Sequence, residues 1–222
     1  MYLVLFDVDG TLVDSQNIIF EGFRRAFASI GRPAPERRAV LSIIGRSLPE
    51  AAATLLDTRP DAQIVSEAVA AYKLAFQDLR QMAEAYEALY DGARDTVMAL
   101  AARDDVTLGI ATGKSRRGVA GVIATHGFEG VFATIQTADT HPSKPDPSMI
   151  FTAMAETGIP PERTIMIGDS SYDILMGRSA HVSVLGVSWG YQSVAELRHA
   201  GAERIVDSYL EVVPAIATLL NW

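Results

Sequence analysis

The residues able to do chemistry come in four short groups. The stretch Val4–Asp14, VLFDVDGTLVD, closes an apolar run with Asp7 and Asp9, one residue apart, then continues with Gly10 and Thr11. LGIATGKS brings Thr112, Gly113 and Lys114, THPSKPDPSMI brings Lys144, and GDSSYD brings Asp169 and Asp173. Singly, each has an ordinary use: Asp169 with Ser170 as a helix cap, Lys144 as a solvated lysine, Asp7 and Asp9 as a turn. Gathered in one site, the carboxylates would repel unless a cation sat among them. Magnesium suits that place, since it takes hard oxygen ligands and accepts a phosphate oxygen. A phosphoryl group then accounts for the rest. Lys144 offsets its charge, Thr112 and the Gly113 amide donate to its oxygens, and Asp7 attacks phosphorus. Asp9 protonates the leaving oxygen and later takes a proton from water.

Such a site needs strands to carry it. Four apolar runs predict buried parallel strands: Leu3–Phe6, Thr107–Ala111, Ile165–Ile167 and Ser183–Val187. Weaker signals fall at Phe132–Ile135 and Arg204–Val206, with helical patterns between most of the runs. The alternation predicts an α/β fold with a doubly wound, mostly parallel Rossmann-like core sheet. Ligands bind such sheets at the carboxyl ends of the strands, which is where the four groups lie.

From Ser15 to about Tyr90 the alternation stops, with helical periodicity and no strand pattern. A first helix is expected from near Ser15 to Gly31, shorter ones around Glu36–Ile44 and Leu48–Leu56, and a long one over Asp61–Tyr86. A βα connection normally takes a few residues, so this stretch reads as an inserted α-helical cap over the strand ends; crossover helices lying on the sheet are the alternative. The division is then a discontinuous core, residues 1–14 and 91–222, and a cap, residues 15–90.

DVDGT, ATGKS, KPDP and GDSSYD resemble, in order, the four motifs of the haloacid dehalogenase superfamily, and the whole chain is similar to its phosphoglycolate phosphatase-like branch. GVSWGY at Gly186–Tyr191 and GAERIVDS near the end extend the likeness. The resemblance implies Asp7 as nucleophile and Asp9 as acid/base, with the Asp9 backbone carbonyl, Asp7 and Asp169 on the metal. It places Asp173 in the ligand shell or just behind it, and Thr112 and Lys144 on the phosphate. Thr11 and Gly113 join the phosphate-binding set. Gly113 stands where many relatives have asparagine, which leaves only its amide.

In the cap segment, SIIGRSLPEA puts Arg46 at a glycine-bearing break between helices, from which it could reach a substrate carboxylate or phosphate; a solvated arginine is the plain alternative. His141 lies near Lys144 but reads as a surface loop residue. The aromatics Phe20, Phe23, Phe27, Tyr72 and Phe76 read as helix-packing core.

Bulk composition sets the outer limits. The chain has 222 residues, 49% of them hydrophobic, enough for one large domain or a core with an insert. A net charge of −8 disfavours nucleic acid or an anionic membrane as main partner. The absence of cysteine removes thiol catalysis and disulfides and suits a cytoplasmic protein. The expected enzyme is a magnesium-dependent phosphatase of a small phosphorylated metabolite, 2-phosphoglycolate the first candidate, acting as monomer or homodimer. A phosphomutase of sugar phosphates is the close alternative. A phospho-accepting receiver is the alternative from another class, disfavoured by the helical insertion and by the Asp7/Asp9 pair. A haloacid dehalogenase is disfavoured because it needs no magnesium.

Overall fold

In the computed structural model, which describes residues 1–81 and 87–222, the core is a six-stranded, wholly parallel sheet. Its strands are β1 (Tyr2–Phe6), β4 (Val106–Thr112), β5 (Thr134–Thr137), β6 (Thr164–Gly168), β7 (Ser183–Val187) and β8 (Arg204–Val206), in the order β5-β4-β1-β6-β7-β8. Alternate side chains of β1 feed two cores. Val4 and Phe6 join the cluster containing Val97 and Leu100 of α5 (Ala93–Ala101), Val119 and Val122 of α6 (Arg116–His126) and Ile216 of α10 (Val212–Leu220). Leu3 and Leu5 join Met149 and Ile150 of α7 (Ser148–Thr157) and Met176 of α8 (Ser171–Ser179). A strand covered on both faces must be apolar at every position, and β1 is. Another core helix, α9 (Val194–Ala200), packs through Leu197 on Ile174 and Val184.

The chain leaves β1 for β4 and β5 on one side, then returns to β6 on the other. The crevice at such a reversal opens at the carboxyl ends of β1, β4 and β6, the strands that deliver Asp7, Thr112 and Asp169.

Among the described residues, four helices form the cap: α1 (Gln16–Ser29), α2 (Arg37–Ser42), α3 (Leu48–Leu55) and α4 (Gln63–Gln81). They hold a core of their own around Ile18, Phe23, Phe27, Val40, Ala52 and Leu79. The chain enters and leaves through two short antiparallel strands, β2 (Val13–Asp14) and β3 (Ala88–Leu89).

Three expectations need correction. The strand read at Phe132–Ile135 runs from Thr134 to Thr137, because Phe132 turns inward against Phe128, while Thr134 and Gln136 carry a polar network to Glu156. The supposedly strand-free stretch contains β3, whose two residues are too few to show a period. The long helix begins at Gln63, and the part of the expectation over 82–86 lies outside the described residues.

Candidate active site

The amide of Asp7 extends the sheet by donating to the Ile167 carbonyl at 2.9 Å, which fixes the residue at the mouth of the crevice. The chain then makes a tight turn in which the Leu12 and Val13 amides both donate to the Val8 carbonyl. Gly10 makes the turn possible: its φ is +84°, and a Cβ there would sit 2.3 Å from Asp169 Oδ2. Asp169 follows β6 directly, and Asp173 lies in the first turn of α8. Lys144, in the loop before α7, is 1% exposed and reaches Asp173 Oδ1 at 2.6 Å and Asp7 Oδ1 at 3.0 Å.

Asp7, Asp169 and Asp173 form one acidic group, with a ligand oxygen from each within 4.8 Å of the others. Burial pushes the Asp7 carboxyl up to about 6; Lys144 and the Thr112 hydroxyl pull it down, while Asp173 and Asp9 add to the rise. Asp169 is driven well above the usual carboxylate range by burial and by its neighbours Asp173 and Asp7. Burial alone would depress the Lys144 ammonium, but Asp173 and Asp7 hold it above its ordinary value. Apart from the Lys144 ammonium beside Oδ1, neither buried oxygen of Asp7 has a hydrogen-bond partner among the described residues, although a buried carboxylate normally has several. Three carboxylates, of which Asp7 is balanced only by the nearby Lys144 ammonium, fit a divalent cation that takes oxygen ligands.

The Asp9 carboxylate lies apart from this group. Its Oδ1 accepts from Ser15 Oγ at 2.6 Å and from Lys114 Nζ at 2.8 Å, so a contribution by Asp9 to a metal falls to its backbone carbonyl. Asp173 spends Oδ2 on the amide and hydroxyl of Ser170, a capping box that starts α8, and Oδ1 on Lys144. That places it as a brace behind the other two acids as much as a ligand. Thr11, expected on phosphate, is fully buried and its hydroxyl donates to Asp169 Oδ1 at 3.3 Å. Its task is to hold an acid, because the turn after Asp9 points it into the protein rather than into the crevice.

Sequence reasoning missed several supporting residues. The Tyr191 amide donates to Asp169 Oδ2 at 2.8 Å, and its hydroxyl accepts from the Ser15 amide at 2.8 Å. Trp189 Nε1 and the Tyr209 hydroxyl both donate to the Thr11 carbonyl, fastening the turn from outside. Gly190 has no room for a side chain, since a Cβ would meet Asp169. The run GVSWGY carried the signal for three of these, but only as part of a likeness, without a role for each residue.

A family model described as haloacid dehalogenase-like hydrolase matches residues 4–187 of this chain. The chain belongs to that family. Among curated relatives, the protein named "Probable phosphatase IndB" of Dickeya dadantii is 33% identical over 99% of this chain and 95% of its own. A phosphoglycolate phosphatase of Pseudomonas syringae pv. tomato is 29% identical over 98% of this chain and 80% of its own. Among solved structures, CbbY from Rhodobacter sphaeroides in complex with phosphate superimposes with a TM-score of 0.79 at 27% identity, covering 96% of each chain.

In this hydrolase a cleft of about 1040 Å³ separates cap from core, with Asp7, Asp9, Thr112 and Gly113 on one wall. Phe23, Tyr72 and Phe76, expected as packing core, also line the other wall. Arg46 lies there too. One guanidinium nitrogen donates to Thr54 Oγ1 at 2.7 Å, another is 3.7 Å from Glu50, the group sits over the Tyr172 ring, and Nε is buried without a partner among the described residues. His141 joins Ser148 and Gln136 and so steadies the loop of Lys144. Among the described residues, no helix is long and apolar enough to cross a membrane.

The missing side chain at Gly113 has a steric reason. A Cβ there would lie 2.5 Å from the Gly45 carbonyl oxygen and 2.6 Å from that of Arg46, so the cap loop occupies the space. The Ser47 amide seals the same contact by donating to Ser143 Oγ at 2.8 Å. Gly113→Ala should therefore lift this loop at a cost of about 1–3 kcal/mol, the usual penalty for overpacking. Hydrogen exchange at the Ser47 amide should accelerate; unchanged exchange would mean that the loop is not seated on Gly113.

Proposed function

We propose that the hydrolase is a magnesium-dependent phosphatase of small phosphomonoesters that carries the phosphoryl group on Asp7. The observation that supports it is Asp7 itself: buried at a strand end, with the ammonium of Lys144 beside it and no other hydrogen-bond partner among the described residues. An Asp7 oxygen attacks phosphorus as the ester P–O bond breaks, and Asp9 gives a proton to the departing oxygen. Water then attacks the aspartyl phosphate while Asp9 takes its proton, and Asp7 is regenerated as a carboxylate. Lys144, the Thr112 hydroxyl and the Gly113 amide hold the phosphoryl oxygens throughout. Asp7, Asp169 and the Asp9 carbonyl, with Asp173 behind them, would hold magnesium, which would supply positive charge against the phosphoryl oxygens.

The cap, taken as residues 15–90 over a core of 1–14 and 91–222, excludes water and restricts the substrate to small molecules. A long nucleic acid or a membrane surface does not fit that enclosure, and the cysteine-free composition suits the cytoplasm. We favour an ester with a second anionic group, 2-phosphoglycolate first, because Arg46 lines the cleft with one nitrogen unsatisfied. The names of several relatives point the same way.

A phosphate-release screen over phosphorylated metabolites with magnesium tests this reading. Esters whose tail carries a second anionic group should lead it, and Arg46→Ala should lower kcat/KM for them about 10- to 100-fold, one charge-assisted hydrogen bond being worth roughly 1.5–3 kcal/mol. Esters with uncharged tails should change little. Equal losses for both kinds of ester would move specificity to other cap residues, and an empty screen would remove the phosphatase reading.

A further inference from the structure

Two buried lysines stand in the crevice, and the mechanism above uses only Lys144. Lys114 is equally committed: its side chain is 6% exposed, and its ammonium lies 2.8 Å from Asp9 Oδ1 and 2.7 Å from Glu87 Oε1. Its stem lies against Gly118 of α6, where a Cβ would come within 2.8 Å of Lys114 Cγ, and its ammonium sits 5.4 Å from the centre of the Phe76 ring. Burying an ammonium is costly unless it is fully paired, and here two carboxylates pair it.

The pairing is one-sided on Asp9. Ser15 and Lys114 both bond Oδ1, and among the described residues none is hydrogen-bonded to Oδ2, while Asp9 lines the cleft. Both donors are tied to the legs of the cap. Ser15 follows β2 at the start of α1, and its hydroxyl bonds Asp9 instead of capping that helix. Glu87 immediately precedes β3 and also meets Arg80 of the cap helix α4 at 3.3 Å.

We propose that Lys114, braced by Glu87, is a positioning residue for proton transfer: it pins one oxygen of Asp9 so that the other faces the leaving group. The inference rests on the assignment of Asp9 as acid/base made above. Proton transfer needs the two heavy atoms within about 3 Å, and a misplacement of ~1 Å costs on the order of 100-fold. An untethered Asp9 would therefore fail most where the leaving group most needs a proton.

The test compares an alkyl ester, glycerol phosphate, with p-nitrophenyl phosphate, whose leaving group needs little protonation, using full-length enzyme with magnesium. Lys114→Met keeps the stem on Gly118 and removes the ammonium. The double variant Lys114→Met/Glu87→Gln also removes the carboxylate left unpaired, which guards against simple misfolding. In both, kcat for the alkyl ester should fall ~100-fold with KM within about threefold, while the aryl ester loses less than about tenfold. Equal losses on the two esters, or recovery of alkyl turnover in the double variant, would make Lys114 a structural ion pair and overturn the proposal. Asp9→Asn run alongside separates the two levels. If it is leaving-group selective and Lys114→Met is not, only the positioning role falls; if Asp9→Asn is itself unselective, the acid/base assignment falls and takes the inference with it.

Discussion

Asp7→Asn should reduce phosphate release by at least ~10⁴-fold while the protein stays folded, because an amide is a poor nucleophile and a weak metal ligand. The structure adds a consequence for stability. Burial and the neighbouring acids raise Asp7 to about 6, so at neutral pH the folded protein holds an ionised carboxylate that would be better solvated in the unfolded chain. Removing that charge should raise the melting temperature of the metal-free protein by a few degrees, provided that Lys144 keeps Asp173. Inactivity joined to greater stability is the signature of a residue kept for chemistry. Thermal unfolding beside a phosphate assay checks both halves; a variant both inactive and markedly less stable would make Asp7 a structural residue instead.

Exhaustive chelation should silence turnover, and magnesium should restore it. The same ion should stabilise the protein in a pH-dependent way. A carboxyl whose folded pKa is raised adds stability at low pH and loses it as pH rises through the folded value; for Asp7 that window runs from about 4 to about 6, and Asp169 acts in the same direction. Above that window the ionised cluster repels itself and has most to gain from a cation; below it, protons compete with the metal. The increase in melting temperature on adding magnesium should therefore be small near pH 5 and grow towards pH 7 in wild type. It should be reduced at every pH in Asp7→Asn. Full activity after chelation, or a stabilisation independent of pH, would contradict the role given to the three acids. Calcium should support turnover poorly, since its larger and looser coordination shell disturbs in-line attack.

What the sequence made readable, and what it hid, follows from how each residue is held. Strands β1, β4, β6 and β7 are buried on both faces, so their apolar runs stand out, and the groups that follow them could be assigned to one crevice. Strand β5 was displaced by two residues because Thr134 and Gln136 spend their polar groups on Glu156, leaving no apolar period to read. The two-residue strands β2 and β3 leave no pattern at all. Among site residues, Asp7, Lys144 and Asp169 sit where a strand end or its loop announces them. The brace on Asp9 does not: Lys114, which bonds Asp9, and Glu87, which bonds Lys114, are 27 positions apart and of types common on any surface, and only folding the cap back brings them together. The contacts of Thr11 were hidden for a similar reason, since its hydroxyl bonds Asp169 and its carbonyl accepts from Trp189 and Tyr209, all far along the chain. Arg46 was legible as a position, beside Gly45 in a helix break, but its ties to Thr54, Glu50 and Tyr172 were not.

The central claim is that phosphorus becomes bonded to Asp7, and chemical trapping tests it most directly. Enzyme turning over p-nitrophenyl phosphate with magnesium is quenched in acid, reduced with borohydride and digested, and the peptide containing Val4–Asp14 is sequenced by mass spectrometry. An acyl phosphate is reduced to an alcohol, whereas a free carboxylate is not, so residue 7 should be recovered in part as homoserine. The conversion should depend on substrate and be absent from Asp7→Asn. Full turnover with residue 7 recovered only as aspartate, or the modification found at Asp9 or Asp169, would contradict the account.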